Sequence, residues 1–182
     1  MDVEVRSAHP HDADGIAEVQ VRTWQAAYAG IVPEAYLASL DVVEVAERRR
    51  GWLAQAEAGT IDYRTLVAED GSGRIVGFVS FGPYRLIPGQ MEGSVGEVQA
   101  IYVHPDTQGR GVGRALMDGA VTALADRGVT ELRLWVFADN APSRRFYERY
   151  GLAADGARDT FRVDPPGGDP VDLAEVRYAM RL

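Results

Sequence analysis

Apolar and polar residues alternate over residues 3–8, which reads as a half-buried strand, and the period then becomes that of a helix running to about Tyr28. Asp12 or Asp14 is placed to cap that helix. Two more helical stretches cover residues 33–40 and 43–58. Residues 64–69 and 74–82 return to strand character on either side of "DGSG", a turn suited to a hairpin. After a loop holding Pro83, Pro88 and Gly89 comes the apolar run of residues 95–103. A glycine-rich loop then opens a helix in which Val112, Leu116, Ala120 and Leu124 recur every four residues until Gly128 stops it. Residues 131–136 read as a strand and 140–150 as a helix ended by Gly151, and the tail carries two strand-like runs around "PPGGDP". The strand, helix and strand in the middle imply a parallel crossover inside an otherwise largely antiparallel sheet.

Composition narrows the classes that this pattern admits. A chain of 182 residues with 46% hydrophobic and 25% charged positions buries a core of its own, and no repeat or Pro/Gly/Ser-rich linker divides it, so one domain over residues 1–182 is expected. The net charge of −8 disfavours nucleic acid or an anionic membrane as partner and suits a cationic one. With no cysteine, disulfides, thiol nucleophiles and thiolate metal sites are excluded. His9, His11 and His104 have no helical ligand spacing, so no metal is expected. "MDVEVRSAHPHD" lacks the basic start and apolar stretch of a signal peptide, and no apolar run approaches the ~20 residues of a membrane span, which predicts a cytoplasmic protein. All basic side chains are arginine.

The chemistry concentrates in "VHPDTQGRGVGRALMDGA", residues 103–120. A glycine-rich loop from strand to helix offers unpaired backbone N–H groups and the positive end of a helix dipole, which together suit a phosphate. Two nucleotide patterns fail: a P-loop needs Lys and Ser/Thr where Arg114 and Ala115 stand, and a dinucleotide fingerprint begun at Gly109 needs Gly or Ala at Arg114. What remains is Gln108-x-x-Gly111-x-Gly113. That pattern resembles the pyrophosphate-binding motif of the GNAT acetyltransferase superfamily. "VQAIYVHPDTQGRGVGRAL", "LWVFADNAPSRRFYERYGL" and "VQVRTWQAAYAGIVPEAYL" resemble further segments of the same family, so the likeness covers most of the chain. It is strongest over residues 97–152 and weak over 41–62.

The resemblance implies an α/β (α+β) fold with a mixed, mostly antiparallel sheet of about seven strands, splayed between the fourth and fifth so that the pantetheine arm of acetyl-CoA inserts there. It places Gln108, Gly109, Arg110, Gly111, Val112, Gly113 and Arg114 around the pyrophosphate, and Ile101, Tyr102 and Val103 beside pantetheine. On the helix from residue 140, Phe146 and Tyr150 share an apolar stripe, while Asn140, Ser143 or Arg144, and Tyr147 fall on another face at spacings of three, four and seven. In the family that second face meets the cofactor, with the Asn position on pantetheine and the Tyr position near the thioester sulfur. Asn140 before Pro142 also suits an N-cap, and the two roles are compatible.

Acetyl transfer to an amine requires a base for the ammonium proton, a donor for the carbonyl oxygen and an acid for the departing thiolate. Tyr147 fits the acid, and Glu97, where the family often places an acidic group, is the candidate base with Glu92 in reserve. Trp24, Tyr28 and Tyr84 are candidate acceptor contacts, together with the variable residues 83–93 and the tail loop "DPPGGDP". "RRR" at 48–50 reads as a solvated helix face. The expected activity is acetyl-CoA-dependent N-acetylation of a small molecule or peptide amine, with a homodimer left open. A non-catalytic acyl-CoA-binding module of the same fold is the alternative, and a nucleotide-binding protein is disfavoured by the failed patterns.

Overall fold

The computed structural model describes residues 3–84 and 94–182. Seven strands form one sheet: β1 (Val3–Ser7), β2 (Arg64–Asp70), β3 (Ile75–Pro83), β4 (Val95–Val103), β5 (Glu131–Phe137), β6 (Ala153–Val163) and β7 (Val171–Arg181). Their order is β1-β2-β3-β4-β5-β7-β6, and β4–β5 is the parallel pair in an otherwise antiparallel set. Five helices flank it: α1 (Ala13–Ala27), α2 (Glu34–Ser39), α3 (Val42–Glu57), α4 (Val112–Ala125) and α5 (Ala141–Tyr150). Among the described residues no helix is long and apolar enough to cross a membrane.

The two faces of the sheet bury different helices. Val112, Leu116, Ala120 and Leu124, the four-residue repeat of the sequence, lie at 0–1% exposure, with Val79, Val98 and Leu134 in the same cluster. On the opposite face Ile16 and Val19 of α1 and Leu53 of α3 cover Phe78, with Ala100 and Tyr102 packed against them. Each such Val, Leu, Ile or Phe side chain removed from water contributes about 1.5–3 kcal/mol, so these stripes fix which way each helix faces.

The caps differ in part from the sequence expectation. Asp12 immediately precedes α1 but its side chain makes no cap bond to that helix. Its carboxylate instead accepts from both terminal nitrogens of Arg6, each at 2.8 Å, and Arg6 also reaches Glu69. The paired guanidinium holds the Asp12 carboxyl below its usual range. A side-chain cap is made at α3, where Asp41 Oδ1 accepts from the N–H groups of Val43 and Glu44.

Strands β4 and β5 part company midway. They are paired from Val95↔Glu131 to Val98↔Leu134 and no further, although β4 continues to Val103 and β5 to Phe137. The separation starts at a bulge: against β3, Ser80 pairs with Ala100 and Phe81 with Val98, which leaves Gln99 as an extra residue. A bulge bends its strand and increases its local twist, and here it turns β4 away from β5. The expected splay between the fourth and fifth strands is thus present.

Candidate active site

The wedge between β4 and β5 opens into a cavity of about 1400 Å³. One wall is β4 from Glu97 to Val103, facing Trp135, Val136 and Phe137 of β5. The floor at the wide end is the glycine-rich loop and the start of α4, and α5 closes one side with Asn140, Ser143, Phe146 and Tyr147. Trp24 and Tyr28 of α1, Arg49 and Trp52 of α3, Phe161 of β6 and Glu175 of β7 line the remainder.

The loop presents bare backbone donors. Helix α4 has Gly111 at its N-cap, with φ +86° and no side-chain cap bond. The N–H groups of residues 109–114 meet no acceptor among the described residues, the first bond of the helix being Ala115 N–H to the Gly111 carbonyl at 3.0 Å. Gly109 and Gly111 both have positive φ, and a Cβ at either position would meet nothing within 4 Å, so the space above the loop is open to a ligand. Successive N–H groups with a helix dipole behind them, equivalent to roughly half a positive charge, form an anion cradle. Gln108 ties the loop to the end of β4 by donating from Nε2 to the Val103 carbonyl at 3.1 Å, and Thr23 donates to the same oxygen. These residues fit a pyrophosphate, and the parted strands beyond them fit an extended arm.

Helix α5 places the candidate acid. Asn140 is 3% exposed and caps the helix, its Oδ1 accepting from Ser143 N–H at 3.2 Å, while the side of Asn140 also lines the cavity. Tyr147 is the buried residue of α5, whereas Phe146 and Tyr150, read from the sequence as the core stripe, are only half-buried. Burial pushes the Tyr147 hydroxyl well above its ordinary value, so it keeps its proton at neutral pH. Arg144 and Arg110 are not among the lining residues. Arg144 instead donates to Tyr178 Oη and to the Ala138 carbonyl, and Tyr178 donates to Glu148, which anchors α5 on β7.

Glu97 is 1% exposed, sits opposite Gly82 and Arg133 in the sheet and lines the cavity at the narrow end of the wedge. Its reserve, Glu92, lies outside the described residues, as do all of residues 83–93 beyond Tyr84. Tyr84 lines the cavity and accepts from Arg177 Nη1 at 2.8 Å. Trp24 and Tyr28 meet edge to face at 4.9 Å and join Phe137 and Phe161 in an aromatic wall. The tail loop of residues 164–170 does not line the cavity; residues 159–161 of β6 do. Burial raises both the Tyr28 and the Tyr102 hydroxyls. The Trp24 N–H lies near the Tyr102 hydroxyl and is buried with no close hydrogen-bond partner among the described residues.

Among the charged lining residues that the sequence did not point to are Glu175 and Arg49. Arg48 and Arg50 are exposed as expected, but Arg49 is 8% exposed. The signal was present: Val45, Ala46, Arg49 and Leu53, the buried residues of α3, follow helical spacing, so Arg49 falls on the apolar stripe. No His, Cys, Asp and Glu cluster suited to a metal occurs among the described residues.

Comparisons with known proteins agree with this geometry. The model of the acetyltransferase (GNAT) family matches residues 24–152. An uncharacterized N-acetyltransferase, YuaI of Bacillus subtilis (strain 168), is 36% identical over 148 residues, covering 81% of this chain and 79% of that one. A mycothiol acetyltransferase of Saccharomonospora viridis is 38% identical over 87 residues, 47% of this chain; the match spans only 28% of that protein. Among solved structures, the PaiA N-acetyltransferase of Thermoplasma acidophilum in complex with coenzyme A superposes with a TM-score of 0.76 at 20% identity, covering 100% of both chains. YncA of Salmonella typhimurium, a structure with acetyl-CoA, gives a TM-score of 0.68 at 23% identity over 100% of this chain and 95% of that one. The matched sequence, the sheet parted after Val98 and the bare loop at the head of α4 lead to one conclusion: this chain belongs to the GNAT family of acetyltransferases.

Proposed function

We propose that this protein moves the acetyl group of acetyl-CoA to a primary amine of a small molecule or peptide by direct transfer, with both substrates bound together. The observation that carries the reading is the continuity of a single cavity from the uncapped loop of residues 109–114, along the parted edge of β4, to Tyr147 and Glu97. In this reading the backbone of residues 108–114 holds the pyrophosphate, and Ile101, Tyr102 and Val103 lie along the pantetheine arm. Acetyl-CoA supplies an acetyl group activated as a thioester. A main-chain N–H on the β5-facing edge of β4 donates to the carbonyl oxygen as charge builds there. Glu97 takes the proton of the ammonium, directly or through water, and Tyr147, kept protonated by burial, gives a proton to the departing sulfur. Trp24, Tyr28 and Tyr84 bound the acceptor. Holding both partners in one slot removes much of the entropic cost of their encounter.

The test is release of free thiol from acetyl-CoA with a panel of amines. Thiol release that requires an amine supports transfer. Saturable acetyl-CoA binding with no release across the panel would instead make this a binding module of the same fold.

A further inference from the structure

Arg49 is a buried cation with no acidic partner among the described residues. Its Nε and Nη2 donate to one oxygen, Gln20 Oε1, at 2.9 and 2.8 Å, and the guanidinium stacks at 4.8 Å from the Phe78 ring centre and 5.2 Å from that of Trp52. Five N–H donors are available to a guanidinium, and Nη1 makes no hydrogen bond among the described residues. A charge taken out of water is costly unless something compensates it, and a neutral amide with two ring faces does so only in part. Burial lowers the Arg49 pKa to about 10, so the group still carries its charge at neutral pH. A second donor in the same cavity wall, the Trp24 indole N–H, is buried and has no hydrogen-bond partner among the described residues. Carboxylates are present too, because Glu97 and Glu175 line this cavity.

We propose that the acceptor is a zwitterionic amine of the α-amino acid class, whose carboxylate pairs with Arg49 while its ammonium turns toward the acidic side of the cavity. The proposal rests on the acetyl-transfer reading and names the substrate class of that same site. A planar guanidinium packed against two aromatic rings has N–H donors left over that can act as a fork, the geometry that a carboxylate fills with two parallel bonds. The aromatic wall of Trp24, Tyr28, Phe137 and Phe161 suits an apolar side chain on the same molecule.

The experiment compares L-methionine, L-phenylalanine and L-leucine with their carboxamides in the thiol-release assay, using the parent protein, Arg49→Met and Arg49→Lys. The amine of a carboxamide loses its proton more easily, so that bias runs against the expected result. We expect kcat/KM at least tenfold higher for the acids than for the amides. In Arg49→Met that preference vanishes through KM for the acid, while the amides and KM for acetyl-CoA are unchanged; Arg49→Lys keeps part of it. Equal use of acids and amides by the parent protein, or a preference that survives Arg49→Met, overturns the proposal. Should no amine be acetylated, the transfer reading itself fails, and equilibrium binding of N-acetyl-L-methionine against its amide, followed by tryptophan fluorescence, decides the role of Arg49. Carboxylate-selective binding lost in Arg49→Met then supports it. Absent or unselective binding overturns it.

Discussion

Tyr147 carries two properties that pull in different directions, since it packs in the main core cluster and also lines the cavity. Tyr147→Phe separates them by keeping the ring and removing the proton. If the hydroxyl protonates the sulfur, kcat falls by roughly the 10² to 10⁴ of general acid catalysis, with acetyl-CoA affinity and melting temperature nearly unchanged. Parental turnover under conditions where chemistry limits the rate makes Tyr147 a packing residue. In the same assay Glu97→Gln is expected to lose rate near neutrality and regain it toward high pH, where the amine sheds its proton unaided; a loss that is flat with pH would assign Glu97 to structure. At this scale the sequence was legible where residue type and spacing agree, as for Asn140, whose cap before Pro142 is formed. It misled at Arg49, because three consecutive arginines look like a charged surface unless each is placed on the helix separately. It misled at Asp12 for a different reason: Arg6 is distant from the helix start in pattern terms, yet the strand brings its guanidinium to the carboxylate that would have capped α1.

The element that matters most is the join of β4, the loop and α4. Its helix stripe and stop were readable from a four-residue repeat and Gly128, because burial of one face follows from periodicity. The bulge at Gln99 was not, since no residue type marks it; it exists because two registers against β3 must be reconciled. Nor does α2 keep the span expected of it, residues 33–40, shortening to Glu34–Ser39 with Pro33 before it. The loop makes a sharper demand. Gly111 sits at φ +86° with open space where a Cβ would project, so Gly111→Val both strains the backbone and fills the place a phosphate would approach. We expect acetyl-CoA affinity to weaken at least tenfold, ~1.4 kcal/mol, by calorimetry on protein shown to be folded by its melting curve. Unchanged affinity in folded Gly111→Val removes the pyrophosphate from this loop.

Across the whole molecule, the cavity is assembled from positions far apart in the chain, from Trp24 on α1 to Glu175 on β7. Periodicity places elements and motifs place chemistry, but neither states that α3 turns a cation into the same space that α5 fills with Tyr147. That is why the loop of residues 108–114 and the α5 face that line the cavity were largely readable in the sequence, and the walls from α3 and β7 were not. The central claim is that the opening between β4 and β5, continued by the loop of residues 109–114, is the slot for acetyl-CoA. Amide hydrogen exchange on addition of acetyl-CoA tests it directly, because the β5-facing edge of β4 beyond Val98 and the N–H groups of the loop are donors without partners among the described residues. Slowed exchange is expected in peptides spanning residues 99–103 and 109–114, with no change in β1 and β2 at the far edge of the sheet. Exchange that is unaltered in both segments while acetyl-CoA is bound, or protection confined to the far edge, contradicts the account.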